Sequence, residues 1–292
     1  MSLEIGLQLA IAGLSTGSIY ALVALGLVLA FKGTGVINFA QGELVTLGAY
    51  IALFLSTFAK LPYHWVFVLT LLSAGAFGIV LERGLIRPLA HAPAFTVVIA
   101  TLAVGLMIKN VLRLLWQENV STIATPFGDA PLAVGALRIN PQYLWVIGCS
   151  VGLMAVLAVF FRRSLTGKAM RAVAQSQVAA RLMGIRVGRM FALTFAISTV
   201  IAAAAGVLVA PLIGIHAEMG GVIIKAFVAA ILGGFHSLIG AVVGGMLLGL
   251  LEAFGGAYVG GLFKETVAFT LLILILLARP HGLFGREEAR RV

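Results

Sequence analysis

The segment FRRSLTGKAMRAVAQSQVAARLMGIRVGRM, residues 161–190, interrupts a chain that otherwise avoids charge. It carries seven basic residues between Arg162 and Arg189, and no Asp or Glu. Of the 292 residues in the chain, 61% are hydrophobic and 10% are charged, whereas soluble domains carry about 25% charged residues. The composition therefore predicts an all-α polytopic membrane protein. Basic cytoplasmic loops account for the net charge of +10 without a nucleic-acid partner.

Apolar runs of about 20 residues, the length that crosses a bilayer, recur on both sides of this segment. The polar stretch between residues 117 and 141 predicts an extramembrane loop. Seven runs predict spanning helices: 5–31, 36–59, 61–81, 93–116, 143–161, 190–212 and 262–279.

A glycine-rich region between residues 220 and 261 is harder to interpret, since it holds 12 of the 35 glycines. Within it, LGGFHSLIG (232–240) has the composition of a turn, with Gly233 and Gly234 beside His236. Two readings remain open: two helices that meet at 233–237, or a re-entrant pair that dips in from outside. Either gives about eight or nine membrane segments in one permease-like domain, 1–292.

Charge distribution orients these segments. The positive-inside rule places 82–92, 162–189 and the tail PHGLFGREEARRV (280–292) in the cytoplasm. Counting back through three helices puts the N-terminus outside and the C-terminus inside. The loop 117–141 then lies outside, in the periplasm, in agreement with its low basic content.

The middle of the basic segment has helical periodicity. Apolar residues of KAMRAVAQSQVAARLMG (168–184) recur at spacings near three and four, and Gly184 is a natural stop. The pattern predicts one amphipathic helix at the cytoplasmic surface. Its apolar face could lie on membrane lipid or fill a groove of another protein.

Three stretches carry a family resemblance. AARLMG (179–184) resembles the Ala-Ala-x-x-x-Gly core through which importer permeases of the ATP-binding-cassette class engage their ATPase, although Val178 replaces the usual Glu. GKAMRAVAQSQVAARLMGI (167–185), GSIYALVALGLVLAFKGTGVINFAQGE (17–43) and KAFVAAILGGFHSLIGAVVGGMLLGLLEA (225–253) are similar to the branched-chain amino acid (Liv-type) permeases, most of all to their H-type subunit.

The resemblance implies a multi-pass permease in the bacterial inner membrane. It implies four kinds of partner: a second, non-identical permease, two cytoplasmic ATPase subunits that bind ATP and Mg, a periplasmic substrate-binding protein, and membrane lipid. This chain itself would bind no cofactor. The implied solute is a branched-chain or related amino acid, with urea, amides and aromatic acids as alternatives. The residues implied in coupling to the ATPase are Lys168, Arg171, Val178, Ala179, Ala180 and Gly184.

Polar residues near the first two helices suggest a second functional region. In KGTGVINFAQGE (32–43), Gly33 and Gly35 would break the helix and bring Asn38, Gln41 and Glu43 to the start of an apolar run. These groups could cap a helix or line a gate where broken helices meet water.

The glycine-rich region carries two ionisable residues and a packing pattern. Lys225 and Glu252 could line the path, snorkel, or pair with each other. Gly240 with Gly244, and likewise Gly245 with Gly249, would allow close helix packing, within the subunit or against a partner.

No motif in the sequence predicts an enzyme. GLSTG (13–17) fits a nucleophile pattern but lies inside an uncharged run with no preceding strand. LTGKAM (165–170) lacks the remainder of a phosphate-binding loop, and five scattered His make no metal site. The chain is therefore predicted to transport rather than catalyse. The rival is a secondary transporter driven by an ion gradient, which would need an internal inverted repeat and a charged coupling site.

Overall fold

The computed structural model describes residues 3–89, 92–116, 120–128, 130–134, 137–260, 264–279 and 282–284. The predicted all-α polytopic class is confirmed, with one small hairpin added. The elements are α1 Leu3–Thr34, α2 Gln41–Thr57, α3 Tyr63–Leu81, a π-helical turn Glu82–Ile86, α4 Ala94–Trp116, β1 Leu132–Val134, β2 Leu137–Ile139, α5 Pro141–Arg163, α6 Leu165–Gln175, α7 Gln177–Leu182, α8 Val187–Ile213, a 3₁₀ turn Met219–Gly221, α9 Val222–Gly233, α10 Leu238–Val259 and α11 Lys264–Ala278.

Within the described residues, six helices are long and apolar enough to cross a bilayer: α1, α3 with its π-helical turn, α4, α5, α8 and α10. The helices α2, α9 and α11 are shorter, with 17, 12 and 15 residues. Six membrane-spanning helices are therefore observed among the described residues, and the total of eight or nine membrane segments stays a prediction.

Two helices form the centre of the bundle. The apolar stretches of α1 and α8 are 83% and 72% buried, whereas those of α3, α4 and α5 are at most 28% buried. The outer helices thus present wide apolar faces, as expected for contact with lipid or with another subunit.

Glycines set how closely the central helices approach. A methyl group on Gly249 of α10 would collide with the backbone of Gly13 and Gly17 on α1, and one on Gly245 would collide with Ala21. On another face of α10, Gly240 and Gly244 lie against Gly233 and Ala229 of α9. Both glycine pairs therefore pack against helices of the same subunit.

The connections gather at two ends of the bundle. At one end, Gln8 of α1 donates to the Arg138 carbonyl beside the hairpin, and Ser121 pairs with Ile215 after α8. At the other end, Arg87 reaches the Gly188 carbonyl at the start of α8, so the basic segments 82–89 and 162–189 lie together. This grouping is the one that the charge-based topology requires. Residues 1–2 and 285–292, whose sides were also predicted, lie outside the described residues.

Candidate functional site

The chain between α1 and α2 is not helical. Gly33 does not break α1, because it lies inside the helix, where a side chain would collide with Thr194. The break falls at Gly35, which adopts a φ of 79°. Helix α2 begins only at Gln41, five residues later than residue 36, where the sequence predicted its start. The intervening backbone is held by other elements, since the Phe39 amide donates to Thr101 Oγ1 of α4 at 3.2 Å.

Asn38 and Gln41 are structural parts of this connection. Both are buried, at 1% and 0% exposure. Asn38 Oδ1 accepts from the Ala40 amide at 3.1 Å. Gln41 Nε2 donates to the Ser198 carbonyl at 3.1 Å, and Ser198 Oγ donates to Gln41 Oε1 at 3.0 Å. Gln41 therefore pins the first turn of α2 to the middle of α8 and does not lie on an open surface.

A buried polar triad joins α1, α9 and α10. Glu252, which is 1% exposed, accepts hydrogen bonds from Tyr20 at 2.7 Å and from Lys225 at 2.6 Å. The Lys225 ammonium also lies 5.7 Å from the centre of the Tyr20 ring. The sequence named Lys225 and Glu252, but Tyr20 gave no signal there because it lies inside an apolar run.

A second, open charge cluster joins α4 to the connection between α8 and α9. The two carboxylate oxygens of Glu218 lie 2.5 Å from Lys109 Nζ and 2.5 Å from Arg113 Nη2. The pKa of Glu218 is lowered because it accepts a hydrogen bond from Lys109, with the charges of both cations adding to the effect. The half-buried Glu43 of α2 approaches the same place, where its carboxylate lies directly against Gly220.

Among the remaining predicted residues, Gly233 and Gly234 do end a helix. Helix α9 stops at Gly233, Gly234 adopts a φ of 102°, and α10 begins at Leu238 after a Ser237 cap. At this turn Phe31 of α1 contacts the Phe235 ring at 4.9 Å between centroids. The turn thus lies at the same end of the bundle as the C-terminus of α1.

The single amphipathic helix predicted over 168–184 is wrong in one respect. It is split into α6 and α7 at Ser176, whose extended backbone ends α6 and whose side chain accepts from the Ala179 amide. A serine that caps a new helix turns the chain and changes which residues face inward. Gly184, with a φ of 78°, ends the second helix as expected.

The coupling segment, residues 162–189, takes its name from its predicted role and is attached to the bundle by a small cluster. Val173, Ala180 and Val187 are buried together against Phe191. Ala180, expected to face a partner, is only 3% exposed. Its neighbours point outward: Lys168, Arg171, Val178 and Ala179 are all exposed. Four large apolar side chains of the segment are 70–84% exposed, namely Leu165, Val178, Leu182 and Met183.

Arg87, ion-paired with Glu82 in the connection after α3, links that connection to this segment. Glu82 is fully buried and receives two hydrogen bonds from Arg87, at 3.2 and 3.1 Å. The same guanidinium donates to the Gly188 carbonyl in the first turn of α8 at 3.1 Å. Arg87 therefore joins two connections at the same end of the bundle, which the sequence alone did not indicate.

Neither region has the features of a metal centre. Among the described residues, no three His, Cys, Asp or Glu side chains come close enough together to hold a metal ion.

The amino-acid sequence is similar to those of known proteins. A family model described as the permease component of branched-chain amino acid transport systems matches residues 9–277. The chain is 35% identical to the high-affinity branched-chain amino acid permease BraD of Pseudomonas aeruginosa, with 98% of each chain covered. It is 33% identical to LivH of Escherichia coli, with 96% of each covered.

More distant relatives include the fructose import permease FruG of Bifidobacterium longum, at 25% identity over 86% of this chain and 76% of that one. Most of the length of the chain, including α1, the coupling segment and α10, falls within the matched region. The chain belongs to the permease family of branched-chain amino acid transport systems.

Proposed function

We propose that this chain is one of two non-identical permeases of a bacterial ABC importer in the inner membrane. A periplasmic binding protein delivers the solute, and two cytoplasmic ATPases that bind ATP and Mg drive its inward movement. The solute is a branched-chain or related amino acid, as the names of BraD and LivH suggest. The fructose permease among the relatives indicates that the same scaffold serves other solutes, so urea, amides and aromatic acids remain the alternatives.

The coupling segment carries this proposal. It places four large apolar side chains, each at least 70% exposed, on two short helices and the residue that follows them, outside the six long apolar helices. Exposed apolar groups of this size on a polar, basic segment are typical of a docking surface. Its cations, with no acidic residue among them, complement an acidic partner and keep this end in the cytoplasm.

The contacts divide the predicted path residues into two groups. Asn38, Gln41 and Glu252 are buried and hydrogen-bonded, so we assign them to the frame of the path. Glu43 and Lys225 are partly exposed, so we assign them to its lining. The second permease would complete the path across the face that they occupy.

The decisive experiment is co-expression of this chain with its genomic neighbours, followed by purification and uptake of labelled solute. Leu182→Asp together with Met183→Asp should leave the membrane level unchanged, release the ATPases and abolish uptake, because charges would replace the exposed apolar surface. Val120→Asp is the matched control, since Val120 is 66% exposed at the opposite end of the bundle.

Two outcomes would overturn the proposal. Uptake by this chain without ATPases, driven by an ion gradient, would favour a secondary transporter. Retention of the ATPases by the Leu182→Asp, Met183→Asp variant would mean that the segment acts only as a topology signal.

A further inference from the structure

The open charge cluster of Lys109, Arg113 and Glu218 includes a charged side chain well inside a membrane-spanning helix. Lys109 lies seven residues before the end of α4, about 10 Å along the helix axis. An ionised side chain at the centre of a bilayer costs about 2.5–3.5 kcal/mol on insertion scales. Yet the side chains of Lys109 and Arg113 are 21% and 38% exposed, and that of Glu218 is 57% exposed. Since lipid is a poor neighbour for these groups, this side of α4 faces water or another subunit.

The ion pairs of the cluster, unlike those of the buried triad, are open to exchange with the charges of a solute. Glu252 is 1% exposed and is enclosed by its hydrogen-bond partners. Glu218 accepts from two cations but keeps more than half of its side chain open. When water reaches both partners of an ion pair, each partner is already solvated on one side. A solute that carries both charges can therefore separate the two partners and pair with each of them.

The charges of the cluster match a particular class of solute. With Glu43, which lies against Gly220 in the same 3₁₀ turn that follows Glu218, the site holds two cations and two anions. A molecule with one carboxylate and one ammonium can bind the cations with the first and an anion with the second. The carboxylate takes over the two ion pairs that Glu218 makes with Lys109 and Arg113, and the ammonium pairs with Glu218, so none of these charges is left without a partner.

The lack of side chains at Gly42 and Gly220 leaves room for this arrangement. A methyl group on Gly220 would collide with the Glu43 carboxylate, and one on Gly42 would collide with the Gly220 carbonyl. The two glycines therefore let the first turn of α2 and the 3₁₀ turn approach until their charged groups share one site.

We propose that Lys109, Arg113, Glu218 and Glu43 form a site on the translocation path at which a zwitterionic solute exchanges with the Lys109–Glu218–Arg113 ion pairs. This site deepens the proposed function and rests on it. It assigns to the permease a preference for solutes that carry both charges, separate from the choice made by the binding protein.

The first test compares two neighbouring positions on α4. Leu106 and Met107 are each 60% exposed, but Leu106 shares the i, i+3, i+7 stripe of Lys109 and Arg113, and Met107 lies about 100° around the helix. Each is replaced by Cys in a Cys149→Ala background of the assembled complex. A membrane-impermeant maleimide added from the periplasmic side should label Leu106→Cys about tenfold faster than Met107→Cys, since only a water-filled path reaches that depth. Loaded binding protein with ATP should slow the labelling.

The second test measures uptake of labelled leucine in proteoliposomes containing the full complex. Lys109→Gln and Glu218→Gln should each lower uptake about tenfold, which corresponds to about 1.4 kcal/mol. Lys109→Arg should restore most of it, because the charge is retained. Membrane level and co-purified ATPases should stay as in the wild type.

Equal labelling at residues 106 and 107, or wild-type uptake by Lys109→Gln, would overturn the site while leaving the importer function intact. A wild-type complex that hydrolyses ATP but takes up no amino acid would refute the amino-acid assignment, and the site with it.

Discussion

The contact between α1 and α10 and the contact between the coupling segment and α8 both depend on small residues, but in opposite surroundings. In the first, Gly13, Gly17 and Gly249 bring two long helices into backbone contact at the centre of the bundle. In the second, Ala180 belongs to a cluster of three buried residues at the edge of the molecule. Assembly of the bundle and attachment of the coupling segment therefore depend on separate contacts, and we expect a mutation to affect one without the other.

The largest effect is expected in the bundle. Gly249→Leu should prevent accumulation of the protein in the membrane, because the new side chain would occupy the space of the Gly17 backbone. Overpacking of a side chain typically costs about 1–3 kcal/mol, and more where backbone must move. The measurement is the amount of protein extracted from membranes. Gly148→Leu on α5 is the control, since nothing lies within 4 Å of the position of its Cβ. Equal amounts of both variants would mean that the glycine contact is not needed.

An intermediate effect is expected in the coupling segment. Ala180→Trp should leave the membrane level normal but displace α7 from α8, so that the ATPases are lost or uncoupled and uptake is abolished. The cluster that it disturbs contains only Val173, Ala180 and Val187 as fully buried residues, so the cost of about 1–3 kcal/mol stays local. Ala180→Ser should behave as the wild type. Loss of the protein from the membrane would show that the two contacts are not separable.

The smallest effect is expected at the hydrogen bond between the connection after α3 and the start of α8. Arg87→Lys keeps a cation beside the buried Glu82 but, with a single ammonium group, cannot keep both the two-fold pairing with Glu82 and the hydrogen bond to the Gly188 carbonyl. Because half of the Arg87 side chain is exposed, we expect uptake per ATP hydrolysed to fall a few-fold, with the ATPases still bound. Arg171→Ala is the matched control, since an exposed charge typically contributes less than about 1 kcal/mol. An unchanged ratio of uptake to ATP hydrolysis would remove Arg87 from the coupling route.

The sequence predicted those parts of the fold that depend on local composition. Apolar runs gave the spanning helices, and the one-signed charge of 162–189 gave the segment that leaves the bundle. The start of α2 was missed because residues 36–40 are as apolar as the helix that follows. The Phe39 amide donates to Thr101, and Gln41 at the start of α2 is held by Ser198, and both partners are far away in the sequence.

The candidate sites were predictable only in part, for the same reason. Lys225 and Glu252 stood out as lone charges in an apolar region, and they are partners. Lys109 and Arg113 were visible only as charges near the end of a span, since Glu218 follows them by more than 100 residues. The burial of Ala180 depends on the cap at Ser176, which a helical wheel drawn through the whole segment cannot represent.

The hydrogen bonds of Gln41 with Ser198 can form only late in biosynthesis. The two residues are 157 positions apart, and a ribosome adds about 5–20 residues per second, so Ser198 is made about 8–30 s after Gln41. Throughout that interval α2, at 17 residues, is shorter than the roughly 20 that span a bilayer and lacks its partner. Until Ser198 is made, α2 cannot form the hydrogen bonds that tie it to α8, so its final position is reached only after α8 has been synthesised.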